Sequence, residues 1–91
     1  MEHRVALLGL VVENADSVEA LNSLLHDYQE YIVGRMGLPY RQRGVNIISI
    51  VLDAPANAIS TLSGKAGMLP GVTAKAIYAK LPEAADEGAD R

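Results

Sequence analysis

Two apolar runs, residues 5–12 and 45–52, limit what this chain can fold into, because each is apolar at both odd and even positions. Successive side chains of a β-strand point to opposite faces of the sheet. In the first run Val5, Leu7 and Val11 therefore make one face, and Ala6, Leu8, Leu10 and Val12 make the other. The second run, with Val45, Ile47, Ile48, Ile50, Val51 and Leu52, is the strongest strand signal in the chain. Strands apolar on both faces belong in a sheet that is covered on both sides.

A chain of 91 residues folds as one domain, and at this size a lone core is small. There is no Phe and no Trp, so the core is built from Val, Ile, Leu, Ala and Met. Cysteine is absent, which excludes disulfides, thiol catalysis and cysteine-held metal centres within the chain and fits a cytoplasmic setting. Glu2, His3 and Arg4 precede an apolar run broken by Gly9 and ended by Glu13, unlike a signal peptide. No apolar run is long enough to cross a bilayer. The net charge of −3 sits in the last residues, where Glu83, Asp86, Glu87 and Asp90 face Arg91 alone. A neutral body offers no basic stripe for direct nucleic-acid binding.

The remaining elements follow from periodicity. A first strand is expected over residues 4–13. Asp16 and Glu19 have capping-box spacing, so a helix should begin near Ser17, with Val18, Leu21, Leu25, Tyr28 and Ile32 on its apolar stripe. A short strand at 31–36 should enter a glycine and proline turn at 37–44, flanked by Arg35, Arg41 and Arg43, before the strand at 45–53. Pro55 suits the first turn of a second helix with Ile59, Leu62 and Ala66 inside, and Gly67 is placed for a left-handed cap. Pro70-Gly71 makes a turn, and residues 72–80 alternate as a last strand. The order is βαββαβ, a ferredoxin-like α+β sandwich with a four-stranded antiparallel sheet and two helices on one face. Residues 1–81 form this domain and 82–91 an acidic, mobile tail. Since two helices cover only one face, the other should be covered by further copies of the chain, as a dimer or tetramer.

In order along the chain, Leu21-Asn22-Ser23-Leu24-Leu25-His26, Gly34-Arg35-Met36-Gly37-Leu38-Pro39, Ile47-Ile48-Ser49, Leu62-Ser63-Gly64-Lys65 with Gly67, and Pro70-Gly71-Val72 resemble the family of regulators of the iron-only hydrogenase system. That family is similar to the ligand-sensing C-terminal domain of nickel-responsive repressors and, more loosely, to ACT domains. The resemblance spans roughly residues 3–80. It implies an oligomeric regulatory domain without enzyme activity, acting through a small-molecule or metal effector and a partner protein. Two features depart from the nickel-responsive repressors: no ribbon-helix-helix segment for reading DNA, and only His3 and His26 as possible nitrogen ligands.

Candidate site residues are few. Arg35 can hold a carboxylate or phosphate through its guanidinium fork; its structural alternative, shared with Arg41 and Arg43, is pairing with Glu13, Asp27 or Glu30. His26, beside the buried stripe of the first helix, is a candidate metal ligand across a symmetric contact, or else a hydrogen-bonded boundary histidine. Ser63-Gly64-Lys65-Ala66-Gly67 contains Gly-Lys, but these residues end a helix, whereas a phosphate loop precedes one. Lys65 there complements the helix dipole, and Gly64 permits close packing. Ligand contact by Ser63, Gly64 or Lys65, and by Gly37 near a sheet edge, is implied by the resemblance alone. No Ser-His-Asp set, paired carboxylates or nucleotide fingerprint points to catalysis, and nothing identifies a cofactor. The alternative to a sensor is a ligand-free assembly module that acts on a partner protein by contact.

Overall fold

The computed structural model describes residues 2–80. Its elements are β1 (His3–Val12), a 3-10 turn (Ala15–Ser17), α1 (Val18–Asp27), a second 3-10 turn (Gln29–Tyr31), β2 (Ile32–Tyr40), a third (Arg41–Arg43), β3 (Val45–Pro55), α2 (Ala56–Gly67) and β4 (Val72–Tyr78). The strands form one antiparallel sheet in the order β2-β3-β1-β4. This is the ferredoxin-like α+β arrangement, with the two doubly apolar strands at its centre. The tail expected from residue 82 lies outside the described residues.

One sheet face and the two helices enclose the core. Ala6, Leu8, Leu10 and Val12 of β1 meet Ile48, Ile50, Leu52 and Ala54 of β3, and the helices add Leu21, Leu25, Ile59, Leu62 and Ala66. All are aliphatic, and Leu8, Leu21, Ile50 and Leu62 are fully buried. Among the described residues, no helix is long and apolar enough to cross a membrane.

Local chemistry differs from expectation in four places. The second strand does not stop at residue 36: Gly37, Leu38 and Pro39 continue it, and the turn is confined to Arg41–Arg43 with Gly44 at φ +67°. Pro39 is tolerated because β2 is an edge strand, where a missing N–H need not break a ladder. Arg35 is accordingly a mid-strand residue and does not flank the turn. At the start of α1 the capping oxygen comes from Asn14, whose Oδ1 accepts from the Asp16 N–H at 2.9 Å; an inserted 3-10 turn displaces the Asp16 box, although the helix still starts beside Ser17. Gly67 forms no left-handed cap, because α2 runs into an αR residue, Met68, whose N–H reaches the Ala66 and Lys65 carbonyls. Finally, an added Cβ at Gly64 would meet nothing within 4 Å, so that glycine does not serve helix-on-sheet packing within the chain.

The left-handed glycine that packing does require is Gly71, at φ +70°. A Cβ there would lie 2.7 Å from Asn14 Cβ and 3.0 Å from its backbone nitrogen. Gly71 O accepts from the Glu13 N–H at 2.7 Å, and the buried Ser17 donates its hydroxyl to Pro70 O at 2.6 Å. These contacts tie the entrance of β4 to the entrance of α1.

Candidate functional site

The site follows from what β2 fails to provide. Ile32 pairs with the core residue Leu52, and a bulge at Val33 then shifts the register so that Gly34 lies opposite Val51. Beyond the bulge, the residues facing the helices are Arg35 opposite Ile50, Gly37 opposite Ile48, and Pro39 opposite Asn46. None is a large apolar side chain, so α1 overhangs space that the strand does not fill.

Two clefts result. One, of about 290 Å³, lies between Val18 and Asn22 of α1, Asn46 and Ile48 of β3, and Arg35 of β2, with Gly37, Leu38 and Pro39 completing its strand side. The other, of about 350 Å³, is bounded by Asn22, Leu25, His26, Gln29, Ile32 and Arg35. Arg35 and Asn22 stand in both. Arg35 Nη2 donates to Asn22 Oδ1 at 3.1 Å, which positions the guanidinium and leaves its charge uncompensated, because the acceptor is a neutral amide. The alternative pairing of Arg35 with Glu13, Asp27 or Glu30 is not formed; among the described residues the one contact within 4 Å between a basic and an acidic side chain is His3 Nδ1 with Asp53 Oδ1.

The sequence candidates separate in space. Arg35, Gly37 and His26 gather along the α1–β2 clefts. Ser63, Gly64 and Lys65 lie in the last turns of α2, which packs on β4 at the opposite edge of the sheet, and they line neither cleft. His26 is exposed; among the described residues no three His, Cys, Asp or Glu side chains cluster to hold a metal, so a metal there would need ligands from a second chain. Arg41 and Arg43 occupy the hairpin turn. Arg43 shares a third cleft, of about 420 Å³, with Glu13, Val11, Tyr40 and Val45, without an ion pair.

The other sheet face is bare. Leu7 and Val51 pair across its centre, with Val5, Val11 and Ile47 beside them, Met36, Leu38 and Tyr40 along the β2 edge, and Ile77 on β4. Met36, Leu38 and Ile77 are 65, 53 and 67% exposed, values that mark an apolar surface no described element covers. At one end His3 Nδ1 lies 3.2 Å from Asp53 Oδ1, and the His3 ring stands edge-on to Tyr31 at 6.0 Å.

Sequence reasoning missed Asn22, Asn46 and the His3–Asp53 contact. All three depend on strand register or on the rotation of α1 over β2, and periodicity reports neither across 13 to 50 residues of separation. The usable clue for the cleft was the run Gly34-Arg35-Met36-Gly37-Leu38-Pro39, which leaves one strand face without bulk once it is extended to Tyr40.

Comparison with known proteins identifies the same architecture. A family model described as "TM1266-like: Iron-only hydrogenase system regulator, putative" matches residues 4–76. Among solved structures, the chain is similar to the uncharacterized protein TM1266 from Thermotoga maritima, with 36% identity and a TM-score of 0.83 over 87% of this chain and 100% of that one. No curated protein matches the sequence.

Proposed function

Because the chain belongs to the TM1266-like family, whose description is that of an iron-only hydrogenase system regulator, we propose that it is a regulatory domain. In this reading residues 1–81 assemble with further copies through the bare sheet face and bind a small effector at the α1–β2 clefts. A partner protein carries the output in the cytoplasm. The observation that carries the reading is the alternation along β2. Arg35 and Gly37 face the helix-side clefts, while Met36, Leu38 and Tyr40 stand on the uncovered face. One edge strand therefore touches both the effector site and the assembly surface. A ligand that binds unequally to two positions of β2 shifts the balance between two modes of pairing.

Native mass spectrometry of protein purified without chelator, run beside the Leu7→Glu and Val51→Glu variants, tests this. The wild type is expected to appear as a dimer or tetramer, and both variants as monomers with unchanged far-UV circular dichroism. An extra mass at whole-number stoichiometry would identify the effector. A monomeric wild type would refute assembly through the sheet. Oligomers that neither carry nor respond to any small molecule would support an assembly module acting by contact alone.

A further inference from the structure

The α1–β2 cleft has a chemistry narrower than "small molecule". Its one full charge is the Arg35 guanidinium, and no carboxylate stands among its lining residues. Asn22 occupies one guanidinium nitrogen, and the outer donors have no protein partner among the described residues. Opposite lies Asn46, half-buried, whose side-chain amide has no hydrogen-bond partner among the described residues. The other large side chains of the wall are aliphatic, Val18, Pro39 and Ile48, while the Leu38 side chain belongs to the uncovered face. A guanidinium fork matches the two oxygens of a carboxylate, and an apolar wall beside it suits a short hydrocarbon chain.

Phosphate fits less well. A phosphate site at a helix start relies on free amides, yet the Ser17 N–H is bound to Asn14 O and the Val18 N–H to Ala15 O within the 3-10 turn. Pro39 has no N–H to offer. A single guanidinium would face a dianion without further cations. The cleft volume of about 290 Å³ lies just below the roughly 300–1,000 Å³ of drug-sized pockets, which suits a ligand of a few carbons beyond its charged group.

Resting on the effector-site reading above, we infer that this cleft binds a small aliphatic monocarboxylate. Arg35 holds the carboxylate, Asn22 fixes Arg35, the Asn46 amide donates to a carboxylate oxygen, and Val18 and Ile48 contact the hydrocarbon chain.

The test is an NMR titration of the full chain with acetate, butyrate, isovalerate and hexanoate. Isovaleramide serves as the uncharged control and inorganic phosphate as the competing anion, all at constant ionic strength. Saturable shifts of the Asn22 and Asn46 side-chain amides and of the Val18 and Ile48 methyl groups are expected for a four- to six-carbon acid. Arg35→Ala should weaken that binding at least about tenfold, and Arg35→Lys should restore only part of it, since the point charge remains but the fork is lost. Spectra of both variants away from the cleft report that the fold is intact. Arg35-dependent phosphate binding tighter than any carboxylate would overturn the ligand class and leave the site standing. Shifts equal for isovaleramide and isovalerate would overturn the role of Arg35. No saturable response to any anion would overturn the effector site itself.

Discussion

Gly71→Ala and Gly44→Ala form a matched pair that isolates the cost of one close approach. Both glycines have left-handed backbones, at φ +70° and +67°, so a side chain at either carries a conformational penalty of about 1–2 kcal/mol. Both substitutions also reduce the entropy of the unfolded chain, an opposing contribution of about 0.4–1 kcal/mol. These two contributions cancel in the difference between the variants. What remains is steric: a Cβ at Gly44 meets nothing within 4 Å, whereas at Gly71 it meets Asn14 Cβ at 2.7 Å and Asn14 N at 3.0 Å. Asn14 cannot yield cheaply, because its carbonyl accepts from the Ser17 N–H, its side chain caps the 3-10 turn, and the Glu13 N–H is bound to Gly71 O. Forcing extra volume into such a contact costs about 1–3 kcal/mol. Gly71→Ala should therefore be less stable than Gly44→Ala by that amount, with a midpoint lower by about 4–8 °C per kcal/mol for a domain of this size. Urea denaturation at one protein concentration, with equal slopes for both variants, gives the comparison. If the two agree within about 0.5 kcal/mol, the usual error of such differences, the tie between the β4 and α1 entrances does not exist as described.

Gly64→Ala should raise stability by up to about 1 kcal/mol, since alanine is the better helix former and its methyl group meets open space; a lower thermal midpoint would show that a second chain packs against Gly64. Leu62→Ala should cost about 2–5 kcal/mol in chemical denaturation, because its fully buried side chain lies between α2 and the sheet and an aliphatic core refills a cavity poorly; a loss below about 1 kcal/mol would mean that α2 is loosely seated.

Most of the fold was legible because aliphatic alternation alone determines it. The inward faces of β1 and β3 and the Ile59-Leu62-Ala66 stripe needed only the periods of strand and helix. The failures occurred where side chains compete for one backbone role. Asp16 and Asn14 both offer an oxygen to the same helix entrance, and a single 3-10 turn decides between them. Glycine and proline at 37–39 signal a turn by local propensity, but an edge strand pairing along its whole length with β3 overrides that signal. Of the candidate site, Arg35 was visible as a guanidinium able to hold a carboxylate or phosphate, although it was expected beside the turn. Its neighbours were not, since Asn22 reaches it across the helix-to-sheet gap and Asn46 through a register set by a bulge.

That bulge bears on how the two faces of β2 communicate. Linkage requires that if each bound aliphatic carboxylate strengthens pairing of the chains by some factor, pairing strengthens carboxylate binding by the same factor. Typical couplings of 1–3 kcal/mol correspond to about 5- to 150-fold. The Leu7→Glu variant alters the bare sheet face two strands away from Arg35, so in the proposed assembly it should remove pairing without touching the cleft. For a dimer with one cleft per protomer, its affinity for the carboxylate should fall by the square root of the factor through which saturating carboxylate tightens wild-type association in sedimentation equilibrium. Unchanged affinity in the monomer, together with a ligand-insensitive oligomer, would mean that β2 carries two independent surfaces. Regulation would then have to act through contact with a partner and not through a shift in assembly.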